Sequence, residues 1–250
     1  MPKSKNIIFR LIFIFSIVIF QSCTPKDELN QDKRHQFPKV WAHRVNNPED
    51  VAEKQSKFMG LEVDLIFSEH QDRLFVGHDA PDTTKNVLFS DWLKKLSKAQ
   101  RKDTYYWLDM KNLSVENATQ LAQRLKYIAR KYHIKDRLWV ENTSADALKI
   151  IKEYDFQVLL WVDNFYYNPQ MDTTSWYQKT KKMVDKLQPD GLSCEYRMYP
   201  VLTDYFSDQH IFFWHTPADF TPENVAFTQK LCREKSVKAV LVDYNDLIEY

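Results

Sequence analysis

Short apolar segments recur along the chain, and stretches with helical spacing separate them. Each apolar segment is rich in branched aliphatic and aromatic residues and has the length of a buried β-strand. The predicted strands cover residues 39–43, 60–67, 104–110, 137–142, 156–162, 190–195, 210–215 and 237–244. A shorter extension, RLFVGHD, follows the second of them.

The segments between the strands read as amphipathic helices. Residues 114–133 repeat apolar positions at helical spacing. The segment 144–154 opens with Ser144 as the predicted N-cap, and 221–235 carries Pro222 in its first turn. Strands that alternate with helices indicate a parallel sheet. Eight strands in about 210 residues favour a (β/α)8 TIM barrel over a doubly wound sheet. We expect one α/β domain over residues 39–250, with a last helix that is short or missing.

Polar side chains collect at the predicted strand ends. The second strand, GLEVDLIF, carries Glu62 and Asp64 on one face because side chains alternate along a strand. Two neighbouring buried carboxylates require a positive partner, either a metal ion or basic side chains. Chemistry in such barrels takes place at the carboxyl ends of the strands. The residues expected on this rim are His43, Arg44, Glu62, Asp64, His78, Asp79, Asp109, Lys111, Glu141, Asn142, His215 and Asp243.

Three acids on neighbouring strands and two histidines define the expected chemistry. Glu62, Asp64 and Asp109 offer only hard oxygen ligands, which suit Mg²⁺ or Ca²⁺. A divalent ion beside His43 and His78 suits phosphodiester cleavage, in which one histidine removes a proton and the other protonates the leaving oxygen. The ion and a nearby cation would hold the anionic phosphate. The candidate cations are Arg44 and Lys111.

The motifs AHR, LEVD, GHD and LDMK, in this order and spacing, resemble those of the glycerophosphodiester phosphodiesterase superfamily of phospholipase-C-like barrels. The resemblance is strong over residues 39 to about 112 and rests on the strand pattern alone beyond them. It implies two catalytic histidines, three metal ligands and two phosphate-contacting cations. The implied catalytic histidines are His43 and His78. The implied metal ligands are Glu62, Asp64 and Asp109, and the implied phosphate-contacting cations are Arg44 and Lys111.

The chain also departs from the usual pattern of that superfamily. It lacks the insertion that bacterial members usually carry after the His-Asp motif, and Asp109 stands where glutamate is usual. Both traits resemble the sphingomyelinase-D-like branch, and WAHRVNNPED is also similar to menorin-like proteins of animals. The expected substrate is therefore a glycerophosphodiester or a phospholipid headgroup.

Structural interpretations of the same residues stay open from the sequence. Glu62 and Asp64 can form a buried ion network with basic side chains, and a histidine at a strand end is often structural. Glu141 and Asn142 suit either the site or the N-cap of the next helix, while His215 and the strand tryptophans favour packing. A catalytically degenerate barrel that acts as a cell-envelope binding protein is therefore the alternative to an enzyme.

The first 22 residues resemble a bacterial lipoprotein signal peptide. Basic residues precede the apolar run 11–20, which is shorter than the roughly 20 residues of a membrane-spanning helix, and QSC ends at Cys23. We expect lipidation of Cys23, a polar tether over 23–38, and a lipoprotein of the bacterial cell envelope held to the membrane by its N-terminal lipid. An uncleaved signal anchor is the alternative.

Composition and charge exclude other classes of function. The net charge of +1, with acids and bases interspersed, gives no sign of nucleic-acid binding. The chain has three glycines, at positions 60, 77 and 191, so neither a Walker A loop nor a GxGxxG motif exists and no nucleotide cofactor is expected. Cys194 and Cys232 suit either a disulfide or two free thiols.

Overall fold

The computed structural model describes residues 34–79, 87–165, 171–216 and 221–243. The described part of the chain contains nine strands. They are β1 (Val40–Ala42), β2 (Gly60–Ser68), β3 (Arg73–Val76), β4 (Tyr105–Met110), β5 (Leu138–Asn142), β6 (Gln157–Trp161), β7 (Gly191–Glu195), β8 (Ile211–Trp214) and β9 (Val237–Val242).

Eight of the strands close into a parallel barrel. Each pairs in parallel with its neighbours, and the ring closes because β1 pairs with both β2 and β9. The order around the ring is β1-β9-β8-β7-β6-β5-β4-β2. Strand β3 is the exception, since it pairs antiparallel with the extended end of β2. The expected single-domain (β/α)8 TIM barrel is confirmed.

The helices lie between the strands, and side chains cap several of them. Ser144 accepts a hydrogen bond from the backbone N–H of Ala147, which confirms it as the predicted N-cap, and Pro222 occupies the first turn after Thr221. The helices are α1 (Val51–Lys57), α2 (Phe89–Lys94), α3 (Lys98–Lys102), α4 (Ala118–Tyr132), α5 (Ala145–Lys152), α6 (Thr173–Leu187), α7 (Tyr199–Tyr205) and α8 (Pro222–Arg233). The segment expected to hold a short last helix lies outside the described residues.

Aromatic side chains fill the barrel interior. Trp41, Trp107 and Phe212 are almost fully buried there, and the rings of Trp41 and Tyr105 stack 5.5 Å apart. A Cβ atom at Gly60 would lie 2.0 Å from the Trp41 ring, so only glycine fits this position of β2. The packing role expected for the strand tryptophans is confirmed for Trp107.

The described part of the N-terminal segment packs against the barrel. Arg34 is buried and pairs with Asp103, at a distance of 3.0 Å between guanidinium and carboxylate. Residues 1–33, which include Cys23 and the expected signal peptide, lie outside the described residues. None of the described helices is both long and apolar enough to cross a membrane. Cys194 and Cys232 are free thiols.

Candidate active site

The three candidate metal ligands converge at the carboxyl ends of neighbouring strands. Glu62 and Asp64 both point into the barrel mouth from β2, where they are 2% and 1% exposed. Asp64 lies directly beside Asp109 in the register of β2 and β4. One oxygen of each of the three carboxylates lies within 4.8 Å of the others. The sequence therefore placed these acids correctly.

Glu62 is held at one oxygen and has no protein partner at the other. The backbone N–H of Arg44 donates to Glu62 Oε2 at 2.6 Å, and Arg44 adopts a left-handed conformation (φ 48°) at this position. Glu62 Oε1 is buried and has no hydrogen-bond partner among the described residues. Burial, followed by repulsion from Asp64 and Asp109, raises the pKa of Glu62 well above its ordinary value.

Asp64 is held by an amide side chain that the sequence analysis did not single out. Asn46 Nδ2 donates to Asp64 Oδ2 at 2.7 Å, and the N–H of Asp64 donates to Asn46 Oδ1 at 3.0 Å. This two-point contact fixes the direction of the carboxylate. The segment RVNN offered no signal for it, because asparagine after a strand is also typical of an ordinary turn.

Lys111 bridges two of the acids. Its Nζ lies 2.8 Å from Asp64 Oδ1 and 2.6 Å from Asp109 Oδ2. Burial disfavours the ammonium, but attraction and hydrogen bonds from the two carboxylates outweigh it and raise the pKa of Lys111 to about 12. Burial also raises the pKa of Asp109, and Lys111 counteracts this effect. The lysine is therefore charged at neutral pH.

The ion-network interpretation accounts for only part of this cluster. Lys111 does pair with Asp64 and Asp109, and Arg44 Nε lies 3.8 Å from Asp64 Oδ2. Neither cation forms an ion pair with Glu62 within the described part of the chain, and one oxygen of that buried carboxylate stays without a partner. Three converging carboxylates with one unsatisfied oxygen fit a divalent cation that prefers oxygen ligands.

His43 stands beside these acids and is oriented by the last strand. Its Nδ1 lies 2.7 Å from Asp243 Oδ1, and its Nε2 lies 3.9 Å from Glu62 Oε2. The backbone of His43 also donates to the carbonyl of Val242, which extends the pairing of β1 and β9. Burial alone would raise the pKa of Asp243, but the hydrogen bond and charge of His43 lower it.

The β2–β3 hairpin carries His78 back to the same rim. The N–H of Gly77 donates to the carbonyl of Asp64 at 3.0 Å, which fixes the chain immediately before the histidine. The side chain of His78 is 39% exposed, and its Nδ1 lies 3.1 Å from Asp79 Oδ1. His78 is close enough for its positive charge to lower the pKa of Asp109, although burial raises that pKa more.

A cavity of about 360 Å³ opens above the acids at this end of the barrel. Its lining includes the basic residues His43, Arg44 and Lys111. Glu141 and aromatic side chains, among them Trp161 and Trp214, also line it. Trp161 therefore faces the site rather than the helices, although the sequence favoured a packing role for it. Aromatic residues on strands are too common to indicate a cavity wall.

Glu141 belongs to the site, whereas Asn142 has a structural role. Glu141 is 4% exposed and accepts hydrogen bonds from Trp107 Nε1 at 2.8 Å and from Ser193 Oγ. Burial and repulsion from Asp109 raise the pKa of Glu141 to about 8. Asn142 donates to the carbonyl of Met110 at 2.6 Å. Neither residue is the N-cap of α5.

His215 lies outside the site. It is 3% exposed, its Nδ1 lies 2.8 Å from Thr228 Oγ1, and its ring packs edge-on against Tyr196 and Phe227. Burial lowers the pKa of His215 to about 4. The packing role that the sequence favoured for His215 is therefore confirmed, in a position between β8 and α8.

No family model and no curated protein matches this chain. Solved structures do match its fold. A putative glycerophosphoryl diester phosphodiesterase from Silicibacter pomeroyi superposes with a TM-score of 0.62 at 12% identity, over 88% of this chain and 94% of that one. A glycerophosphodiester phosphodiesterase from Parabacteroides distasonis gives a TM-score of 0.59 at 16% identity, over 82% and 92% of the two chains.

A third solved structure contains a ligand. It is a phosphodiesterase from Oleispira antarctica in complex with the product sn-glycerol-3-phosphate, with a TM-score of 0.59 at 13% identity over 84% of this chain and 95% of that one. At these identities the similarity establishes the fold. The chain has the barrel fold of glycerophosphodiester phosphodiesterases, the superfamily that its motifs resemble.

Proposed function

We propose that this protein is a metal-dependent phosphoric diester hydrolase that acts on glycerophosphodiesters or phospholipid headgroups. The observation that carries the proposal is the position of His43, between Asp243 on one side and a cluster of three carboxylates on the other. Hydrolysis of an anionic diester requires a base, an adjacent acid that orients the base, and a site for a cation.

Glu62, Asp64 and Asp109 would hold one Mg²⁺ or Ca²⁺ ion. The unpartnered Glu62 Oε1 supports this assignment, because a buried carboxylate oxygen without a donor is costly unless a cation satisfies it. When bound, the ion supplies Lewis-acid stabilisation of the charge that develops on the phosphoryl oxygens. Asn46 keeps Asp64 oriented for that role.

His43 is assigned as the general base. With Nδ1–H directed at Asp243, the neutral ring presents the lone pair of Nε2 toward the acids and the cavity. It can there remove a proton from the attacking oxygen. His78, which the hairpin brings to the same rim, is assigned as the general acid that protonates the leaving oxygen.

Arg44 and Lys111 are assigned to the phosphate. Both line the cavity, and the raised pKa of Lys111 keeps its ammonium charged at neutral pH. The side chain of Arg44 is 54% exposed and can move onto an anionic group in the cavity mouth. We further assign lipidation to Cys23, which would make the protein a membrane-anchored lipoprotein of the bacterial cell envelope.

The test is a substrate screen with the purified full chain in detergent. Choline-, ethanolamine-, inositol- and glycerol-containing phosphodiesters are each incubated with Mg²⁺, with Ca²⁺ or with EDTA. We expect turnover of at least one diester, abolished by EDTA and restored by one of the two ions. Binding of diesters without turnover under all three conditions would instead support the degenerate binding protein.

A further inference from the structure

The barrel end opposite the cavity carries an open aromatic recess. It has a volume of about 530 Å³ and is lined by Trp41, Tyr105, Trp139 and Phe212, among others. Trp41 and Phe212 are buried, but Tyr105 and Trp139 are only half-buried. Tyr and Trp in such positions suit an environment that is apolar on one side and wet on the other.

Cations without an ion-pair partner lie at and beside this recess: Lys39 and Lys238 line it, and Lys235 lines an adjoining pocket that also includes Lys238. Within the described residues, none of Lys39, Arg137, Lys235 and Lys238 forms an ion pair with a carboxylate. Lys235 and Lys238 are exposed, and the guanidinium of Arg137 lies 5.0 Å from the Tyr105 ring. Lys39 Nζ donates to the backbone carbonyl of Glu234 at 2.9 Å. Burial, and to a smaller extent the charge of Lys238, lowers the pKa of Lys39.

Acids at the same end offset these charges only in part: Glu234 attracts Lys39, and the exposed Asp208 lines a pocket together with Lys235 and Lys238. Asp190 lines the recess, but it already pairs with Lys152 at 3.4 Å and accepts the N–H of Val158 at 2.9 Å. Further cations lie in the last turns of the helices, where the helix dipole commonly places them. Lys39 and Lys238 lie at strand starts, where no helix dipole accounts for them, whereas Arg137 ends a short 3-10 helix before β5 and Lys235 follows the C-cap of α8. The carboxylates of the candidate active site lie at the opposite end of the barrel.

The N-terminal segment joins the barrel at the cationic end. Arg34 is the first described residue, and it is held by Asp103, two residues before the start of β4. Ten residues lie between Cys23 and Arg34 in the sequence. An extended chain of that length spans at most about 40 Å. An anchor at Cys23 would therefore keep this end of the barrel near the membrane that holds it.

We propose that the strand-start end of the barrel docks on an anionic phospholipid surface. Lys39, Arg137, Lys235 and Lys238 would contact the headgroups, and Tyr105 and Trp139 would lie at the boundary between headgroups and acyl chains. Each cation near such a surface strengthens binding about fivefold. This docking surface is separate from the candidate active site and needs no catalysis.

The orientation narrows the substrate class, a consequence that rests on the proposed function. With the strand-start end on the membrane, the cavity opens away from the anchoring bilayer, beyond the length of the strands. Water-soluble glycerophosphodiesters reach such a cavity, whereas phospholipids embedded in that bilayer do not. The favoured substrates are therefore diesters already freed from their acyl chains.

The test is a lysine footprint of the full chain reconstituted in vesicles. Vesicles of phosphatidylglycerol are compared with vesicles of phosphatidylcholine, an amine-reactive reagent is added, and labelling is measured by mass spectrometry. Lys182 is the internal reference, because it is exposed on α6. We expect labelling of Lys235 and Lys238 to fall about fivefold or more relative to Lys182 on the anionic vesicles only. In 1 M salt, where the Debye length is about 3 Å, the difference should disappear.

A matched pair of double variants tests the role of the charges. In Lys235→Gln/Lys238→Gln, the remaining Lys39 should lose its protection on anionic vesicles, whereas Arg73→Gln/Lys181→Gln, which removes two exposed cations away from the recess and keeps Lys182 as the reference, should leave that protection unchanged. Equal labelling on both kinds of vesicle would overturn the proposal. Protection that appears in intact envelope membranes but not on phosphatidylglycerol vesicles would also overturn it, because a protein partner would then cover the lysines. The footprint needs no turnover, so it stands or fails independently of the proposed hydrolase activity.

Discussion

Asp243 fixes the orientation of His43 across the seam at which the barrel closes. The two residues are 200 positions apart in the sequence, yet His43 Nδ1 lies 2.7 Å from Asp243 Oδ1 because β1 pairs with β9. The contact assigns the proton to Nδ1 and directs the lone pair of Nε2 toward Glu62 and the cavity.

We predict that Asp243→Asn lowers kcat by about tenfold to a hundredfold with little change in KM. The amide can hold the ring in place, but it does not stabilise the imidazolium that forms when His43 takes a proton. The acidic limb of the pH–rate profile should move, since the charge that stabilises the protonated ring is gone. Steady-state kinetics across pH on the best diester from the screen measure both effects.

The control for this variant is Asp185→Asn. Asp185 forms an exposed ion pair with Lys181 on α6, so its loss should leave kcat and the pH profile unchanged. If Asp243→Asn keeps the full kcat and the profile of the unmodified protein, Asp243 does not orient a catalytic base.

Both candidate histidines are expected to be essential for turnover. General acid and general base catalysis each contribute about 10²- to 10⁴-fold, so His43→Ala and His78→Ala should each lower kcat at least about a hundredfold. Metal binding, followed by calorimetry, should persist in both variants. The pH profile of the unmodified protein should be bell-shaped, because one histidine acts as a base and the other as an acid.

His215→Ala is the matched control for these two variants. His215 packs between Tyr196 and Phe227 outside the cavity, so its loss should lower the stability of the fold more than kcat. Near-normal turnover in either His43→Ala or His78→Ala would rule out the two-histidine mechanism.

The sequence predicted the barrel well because its signals are local. Each strand is a short apolar run, and the acids of GLEVDLIF share one face through simple alternation. The contacts that complete the site are not local. Asn46 reaches Asp64 across 18 residues, and Asp243 reaches His43 only because the ring closes. The sequence placed Asp243 on the rim but could not pair it with His43.

Glu141 and His215 show a second limit of the sequence. Both lie at or just after a strand end, so the strand pattern places both on the rim; it leaves Glu141 open between the site and an N-cap and favours packing for His215. Glu141, the second-last residue of β5, faces the cavity, whereas His215, just after β8, packs under α8, where its Nδ1 lies 2.8 Å from Thr228 Oγ1. For a residue just after a strand, loop geometry decides whether the side chain faces the cavity or the helices. The apolar pattern does not encode that geometry.

Stability should fall between about pH 6.5 and pH 4 through His215. Burial keeps this histidine neutral in the folded state and lowers its pKa from 6.5 to about 4, while the unfolded chain takes up a proton near 6.5. The contribution of His215 is therefore complete above pH 6.5 and is lost as the pH falls, by at most about 3 kcal/mol. Thermal unfolding across this range, compared with His215→Gln, measures the effect. An equal pH dependence in both proteins would contradict this role for His215.

The last prediction concerns two effects of Glu62: it destabilises the metal-free fold, and it binds the metal ion. Glu62 is buried beside two other carboxylates, and one of its oxygens has no hydrogen-bond partner among the described residues. In Glu62→Gln the side-chain oxygen can still accept the N–H of Arg44, while the repelled charge is removed. We expect the metal-free variant to be more stable than the metal-free unmodified protein. Each kcal/mol of added unfolding free energy should raise the melting temperature by about 2–4 °C. Heat of Mg²⁺ or Ca²⁺ binding and diester turnover should both be lost. Glu53→Gln, which removes an exposed acid paired with Lys57, should change none of these quantities. If Glu62→Gln instead melts at a lower temperature and still binds the metal ion, then Glu62 is not a metal ligand, and its role is to hold the backbone of Arg44 in place.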